Sequence, residues 1–374
     1  MSARFDAPLP LPSRWASLVD VVRDDHIHGA SWLARSAAEI LAERAREESA
    51  RIAKARETGR GSASASGKES LNDLAALAWG LAWARPSMAA IANTMTAIWK
   101  LALPASLEDL ERVKAAAAIG RLRDEAMRLR DSWSHVTTEL ERHISKLLRD
   151  PVFTLSRSGS VEHALIAAAS ARSPDAPMEV IIAESLPGGE GVDMARALAA
   201  AGARVSVVTD SAVGVGMARA RTLLLGADSV RSDGSLVNKV GTYPAALVAA
   251  DLGIPVYALC ERLKITPQSY PLTLERVSGA AGEEWKEGGW LFDVTPARLV
   301  TAIITEEGAL SQEAVARLAS DAEVALTRLK NYVERAPARH SQGAHPESAS
   351  PERAPARGRK PPLRSDSRSR NRLS

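Results

Sequence analysis

The stretch from residue 221 to residue 259 limits the fold more than any other part of this chain. An apolar run is followed by a polar turn, a helix-like run and a second apolar run, the order of a parallel α/β sheet. Asp228 follows the first apolar run, and Asn238 and Lys239 stand just before the helix-like run. Because open α/β sheets bind ligands at the carboxyl ends of their strands, we predict that these three side chains lie in a binding site.

A carboxylate, an amide and an ammonium that converge in this way can bind a polar, phosphorylated molecule. The alternative is that Asp228 caps a turn while Lys239 faces solvent.

Short β-rich runs alternate with helical runs of about ten residues throughout residues 151–295, a pattern typical of βαβ units. The predicted fold class is therefore α/β, with a helical N-terminal domain before a Rossmann-like domain built on a parallel sheet. The predicted strands cover Val152 to Leu155, Val180 to Ala183, Val205 to Thr209, Thr222 to Leu225, Ile254 to Leu259 and Trp290 to Val294.

The first 150 residues indicate helices instead. The predictions are helices from Ser31 to Glu57, from Ser70 to Ala84 and from Leu107 to Leu148, with a flexible loop at residues 58–68. A last helical stretch is predicted from Pro296 to Val333. The domains expected on this basis are an extension at 1–20, the helical domain at 21–150, the Rossmann-like domain at 151–335 and a disordered tail at 336–374 rich in Arg, Pro and Ser.

Charge and cysteine content exclude some classes of protein. The net charge of +3 arises from the tail, where residues 351–374 hold eight basic and two acidic residues. The remainder is mildly acidic, so a basic nucleic-acid-binding fold is not indicated.

The single cysteine, Cys260, excludes an intrachain disulfide. With no apolar run long enough to cross a bilayer and no secretory leader, we expect a cytoplasmic protein without membrane contact.

Several short motifs carry a resemblance to a known family. They are Arg85-Pro86-Ser87, Glu184-Ser185, Thr209-Asp210-Ser211-Ala212, Gly226-Ala227-Asp228, Asn238-Lys239-Val240-Gly241-Thr242-Tyr243, Phe292-Asp293-Val294-Thr295-Pro296 and Ile304-Thr305-Glu306-Glu307-Gly308. Together they span about residues 25–312. The chain resembles the translation initiation factor 2B alpha/beta/delta family, which also contains the isomerases of methylthioribose 1-phosphate and ribose 1,5-bisphosphate.

The resemblance implies a site between the two domains, at which an aldose phosphorylated on C1 becomes a ketose. In the isomerases a cysteine after the first strand of the second domain works with the aspartate of Gly-Ala-Asp. The matching positions here are Ser156 and Asp228, which are therefore the candidate catalytic residues. A hydroxyl is a much weaker acid than a thiol, so we expect weak or absent isomerase activity.

Two further positions depart from the isomerases. His28-Gly29 stands where they have Arg-Gly, and Leu186 stands where they have a phosphate-binding arginine. The remaining expected substrate-binding residues are Arg85, Ser158, Gly159, Asn238, Lys239 and Lys264.

Two functions stay open at this point. One is a sugar-phosphate-binding homologue of the isomerases, and the other is a non-enzymatic regulatory subunit like those of initiation factor 2B. Expected partners are a phosphorylated sugar or nucleotide and further copies of the chain in a homodimer or larger homo-oligomer. The basic tail could add a weak nucleic-acid contact. No cofactor or metal is expected.

Three other features allow two interpretations each. Residues 188–191, Gly-Gly-Glu-Gly, form either a helix-start loop or a lid over the site. Asp210 either lines the site or caps a helix. Cys260 is either a core residue or a displaced catalytic thiol.

Overall fold

The computed structural model describes residues 11–25, 27–58, 63–104, 113–272, 274–276 and 289–335. The predicted disordered tail, residues 336–374, lies outside the described part of the chain. Within that part, no helix is long and apolar enough to span a membrane.

Five helices build the described part of the N-terminal region. Small and apolar residues of the second helix, such as Ala34, Ala38 and Leu41, are fully buried, which lets neighbouring helices approach closely. Their bounds are α1 Ser13–Arg23, α2 Ala30–Glu57, α3 Ala63–Ala82, α4 Ala89–Ala102 and α5 Ala115–Ile144.

Three predictions for this region need correction. Helix α3 begins at Ala63, inside the loop predicted at 58–68. Gly67 lets α3 lie against α5, because a Cβ at this position would lie 3.0 Å from the Cβ of Ala115. Ser70 does not start a helix, and its hydroxyl donates a hydrogen bond to Glu48 instead. Helix α4, most of whose residues are buried, was not predicted.

The ends of the predicted helical domain also differ. Trp15 and Val22 of α1 are buried in the helical core, so this helix crosses the predicted boundary at residue 20. The helix predicted from Leu107 is observed from Ala115, and its predicted start lies outside the described residues.

The second half is a parallel α/β sheet, as the sequence predicts. Its strands run in the order β10-β9-β7-β4-β1-β2-β3, and all are parallel except β10. The strands are β1 Val152–Leu155, β2 Glu179–Ala183, β3 Arg204–Val208, β4 Thr222–Leu225, β7 Val256–Leu259, β9 Ala302–Thr305 and β10 Gly308–Leu310. The helices are α6 Gly159–Ser170, α7 Glu190–Ala200, α8 Val213–Met217, α9 Thr242–Asp251 and α10 Gln312–Arg335.

A second, antiparallel sheet was not predicted. It consists of β5 Ser229–Val230, β6 Leu236–Lys239 and β8 Phe292–Thr295 in the order β5-β6-β8. The strand predicted at Trp290 to Val294 therefore belongs to this small sheet rather than to the parallel one. Asn238 and Lys239 lie on β6, not in a loop.

The prediction of helix over Pro296 to Val333 was wrong in its first part, which holds β9 and β10. The helix that follows, α10, packs into the helical core through Leu326, Leu329 and Val333. By packing it belongs with the N-terminal helices, although the predicted boundaries place it in the 151–335 domain.

Candidate functional site

A cavity of about 530 Å³ lies at the carboxyl ends of strands β1 and β4, beside the start of helix α2. All ten residues named as site candidates from the sequence line it: His28, Gly29, Arg85, Ser156, Ser158, Gly159, Asp228, Asn238, Lys239 and Lys264. Strand ends of a parallel sheet meet at one edge, and this explains why the residues that follow β1 and β4 converge here.

Asp228 follows β4, and its backbone N–H donates to the Val237 carbonyl at 2.9 Å. Burial raises the pKa of its carboxyl to about 6, although the positive charge of Lys264 works in the opposite direction. The negative charge of Glu275 adds to the rise. Asp228 can therefore gain or lose a proton near neutral pH.

Ser156 follows β1 in an unusual backbone conformation. Its φ of 59° lies in the left-handed region, as does the φ of 64° at Ser185 after the neighbouring strand β2. The two residues are linked, because the Ser156 N–H donates to the Ser185 hydroxyl at 2.6 Å. Strain of this kind concentrates at functional sites and needs support from its surroundings.

Asp210 supplies part of that support. Its carboxylate accepts hydrogen bonds from the Ser185 and Leu186 N–H groups at 2.8 and 2.7 Å. Asp210 thus fixes the loop after β2 instead of lining the cavity.

The N-termini of α2 and α6 open onto the cavity. Gly29 precedes α2, and Ser158 precedes α6, whose first residue is Gly159. Unpaired backbone N–H groups at such ends favour an anion. The approach of Ser158 depends on a glycine after β4, since a Cβ at Gly226 would lie 2.5 Å from the Ser158 hydroxyl oxygen.

Arg85 is buried and already paired. Its guanidinium donates two hydrogen bonds to the carboxylate of Glu275, at 2.9 and 2.6 Å, and one to the Asp25 carbonyl. Ser87 also donates to Glu275. Glu275 could not be identified from sequence, because it lies 190 residues from Arg85.

Lys264 belongs to a buried network that joins the two halves of the protein. Its ammonium lies 3.3 Å from Glu261, and Glu261 accepts hydrogen bonds from Ser31 of α2 and Ser160 of α6. Burial opposes the charge on Lys264, but Glu261 and Asp228 more than offset it and raise the pKa of the lysine. Lys264 therefore stays cationic beside Asp228.

Asn238 and Lys239 enter the cavity from β6. The Asn238 amide donates to the Thr242 hydroxyl at 3.0 Å, and the Lys239 ammonium lies 2.7 Å from Glu190 at the start of α7. Residues 188–191 thus form the helix-start loop that one interpretation expected, while Glu190 also lines the cavity. Glu190 was not predicted as a site residue.

His28 lies at the mouth of the cavity. Its ring stacks on Trp32, with 3.7 Å between ring centroids, and its Nδ1 lies 2.8 Å from the Asp25 carboxylate.

Cys260 is fully buried in the core and does not line the cavity. Burial raises the pKa of its thiol to about 12, which favours the core interpretation over a displaced nucleophile. Among the described residues, no three His, Cys, Asp or Glu side chains come together as a metal site.

Comparison with known proteins identifies relatives of two kinds. Residues 26–312 match the model of the initiation factor 2 subunit family. A translation initiation factor eIF-2B subunit 2-like protein of Pyrococcus abyssi is 29% identical over 303 residues, which are 80% of this chain and 96% of that protein. A ribose 1,5-bisphosphate isomerase of Haloterrigena turkmenica is 30% identical over 46% of this chain and 58% of its own.

A methylthioribose-1-phosphate isomerase of Rhodopirellula baltica is 31% identical over 53% of this chain and 63% of its own length. Among solved structures, the translation initiation factor eIF-2B of Pyrococcus horikoshii aligns with a TM-score of 0.63 and 26% identity, covering 80% of this chain and 98% of that one. The family model covers well over half of the sequence, and the chain therefore belongs to the initiation factor 2 subunit family.

Proposed function

We propose that this protein binds a phosphorylated sugar or nucleotide in the cavity around Asp228, and that it has weak or no isomerase activity. The observation that carries the proposal is the convergence of Lys239, Lys264 and two helix N-termini on one cavity that also holds a carboxyl with a pKa of about 6. The helix ends and ammonium groups suit phosphate, and Asp228 suits proton transfer.

The conversion of an aldose into a ketose needs one group that accepts a proton and another that donates one. Asp228 can serve as one of them. Ser156 stands at the other position, and its hydroxyl is too weak an acid to exchange protons near neutrality without a neighbouring base. If any activity survives, we expect an intramolecular aldose–ketose isomerisation of a pentose phosphorylated on C1, without a cofactor.

The second candidate is a non-enzymatic regulatory subunit, and one observation favours it. The relative from P. abyssi that matches over 96% of its length is an eIF-2B subunit 2-like protein, whereas the isomerases from H. turkmenica and R. baltica match over 58% and 63% of theirs. In this role the same cavity would sense a phosphorylated metabolite, and the chain would form a homodimer or larger homo-oligomer. Contact of the basic tail with nucleic acid is a further part of the proposal.

Isothermal titration calorimetry with phosphorylated pentoses tests the binding function. In Lys239→Ala, the loss of one charged hydrogen bond should cost about 1.5–3 kcal/mol of binding free energy. Lys330→Ala is the matched control, because Lys330 is a lysine on α10 that does not line the cavity. Equal affinities for the wild type and Lys239→Ala would refute the assignment of this site.

A further inference from the structure

The charge balance of the cavity is unusual for a site that should receive phosphate. Four cationic side chains line it among the described residues, and each lies within 4 Å of a carboxylate. The pairs are Arg85–Glu275, Arg157–Glu162, Lys239–Glu190 and Lys264–Glu261.

Glu190 differs from the other three carboxylates. Glu190 lines the cavity, whereas the other three carboxylates, Glu162, Glu261 and Glu275, do not. Its side chain is 37% exposed, while the Lys239 side chain that it contacts is only 7% exposed. A ligand that reaches Lys239 therefore meets the carboxylate of Glu190 as well.

The loop before Glu190 permits this position. A Cβ at Gly188 would lie 2.3 Å from Glu190 Oε1, so the glycine provides the space that the carboxylate occupies. The loop offers no compensating cation, because its residues are Leu186, Pro187 and two glycines. On this side of the cavity the charges of Lys239 and Glu190 thus cancel each other.

We propose that Glu190 determines specificity: by occupying Lys239 it limits the site to sugar phosphates that carry a single phosphate group. This inference rests on the proposed function and names the substrate class of the same site. The single phosphate would lie at the N-terminus of α2, next to Gly29, and at the N-terminus of α6, which begins at Gly159. The hydroxyl-bearing end of the sugar would face Lys239 and Glu190. A second phosphate on that end would meet a like charge.

The repulsion acts in a partly buried cavity, where screening by water and salt is reduced. It should therefore discriminate strongly between two ligands that differ only in the second phosphate. Ribose 1-phosphate and ribose 1,5-bisphosphate are such a pair.

Calorimetric titration of both sugars into the full-length protein tests the inference. We expect the wild type to bind ribose 1-phosphate about tenfold more tightly than ribose 1,5-bisphosphate, or better. Glu190→Gln removes the negative charge but keeps the shape. This variant should shift the ratio of the two affinities toward the bisphosphate by about tenfold or more. Its affinity for ribose 1-phosphate should change by less than about threefold.

Glu334→Gln is the matched control. Glu334 also carries one negative charge and also lies near a lysine, Lys330, but it is on α10 and does not line the cavity. The affinity ratio should stay near the wild-type value in this variant. Glu190→Ala provides a second test of the same position, and the melting temperature of each variant verifies that it is folded.

The outcomes separate the two levels of the proposal. Binding of both sugars with an affinity ratio that Glu190→Gln and Glu190→Ala leave unchanged overturns the role of Glu190 alone. So does a wild type that prefers the bisphosphate. If neither sugar binds to the wild type or to any variant, the proposed function fails, and the role of Glu190 fails with it.

Discussion

Replacing Asp228 by asparagine should make the protein more stable at neutral pH, by an amount that depends on pH. Burial raises the pKa of this carboxyl from 3.8 to about 6 in the folded protein. The folded state therefore keeps the proton to a higher pH than the unfolded chain does. Its stability falls as pH rises from about 4 to about 6, because the ionised carboxylate is poorly accommodated.

The size of the effect follows from the shift. A rise of about two pKa units corresponds to about 3 kcal/mol, at about 1.4 kcal/mol for each unit. The asparagine side chain cannot ionise, so the variant loses none of this stability as pH rises. The difference in unfolding free energy between Asp228→Asn and the wild type should thus grow in favour of the variant by up to about 3 kcal/mol between pH 4 and pH 7.5.

Urea denaturation of both proteins at several pH values measures this difference, and packing effects that do not depend on pH cancel. Asp233→Asn is a control with the opposite sign. Hydrogen bonds from Ser235 outweigh its partial burial and lower the pKa of Asp233, so its removal should cost stability above pH 4. If the difference for Asp228→Asn stays flat or falls with pH, the carboxyl is not held in a destabilising environment.

Two further predictions concern other parts of the chain. Asp293 accepts hydrogen bonds from the Gly241 and Tyr243 N–H groups at the start of α9, so Asp293→Ala should lower the unfolding free energy by about 0.5–2 kcal/mol in urea denaturation at about pH 4. Burial raises the pKa of the Asp293 carboxyl to about 6, so this loss should shrink as pH rises from about 4 to about 6; an unchanged value at about pH 4 would show that this cap contributes nothing. Truncation after Arg335 should leave the melting temperature and sugar-phosphate binding unchanged, since the tail lacks apolar periodicity. A drop of many degrees would contradict this, and any nucleic-acid affinity lost with the tail should be salt-sensitive and independent of sequence.

Much of the cavity could be predicted because its residues follow a simple rule of the fold. Ser156 comes directly after β1 and Asp228 three residues after β4, and these adjacent parallel strands end at one edge of the sheet. The pattern of apolar runs predicts those strands and hence the place of Asp228, whereas Ser156 was assigned to the site by the family resemblance. Gly226 is explained only by the three-dimensional structure, where it makes room for Ser158.

The carboxylates that pair with the cations could not be predicted. Glu190 is 49 residues from Lys239, and neither periodicity nor local motifs encode such a contact. The short strand β5 was missed for a related reason: a two-residue strand carries no measurable alternation.

The ion pairs change the interpretation of the cavity. From the sequence, Arg85, Lys239 and Lys264 suggest a strongly cationic phosphate site. In the structure each of them is compensated, and the helix N-termini remain as the groups that favour an anion. The same arrangement explains why binding and catalysis can separate, because ligand recognition does not depend on the acidity of Ser156.

The most direct test of a sugar-phosphate site with little isomerase activity is a ³¹P NMR assay of methylthioribose 1-phosphate and ribose 1,5-bisphosphate with the wild-type protein. For a sugar that binds, we expect its phosphate resonance to broaden while conversion to the ketose stays slow or undetectable. Ser156→Cys should raise any conversion, since a general acid–base group contributes about 10²–10⁴-fold. Efficient turnover by the wild type, abolished in Asp228→Asn, would contradict the proposal and show that another group supplies the missing acid.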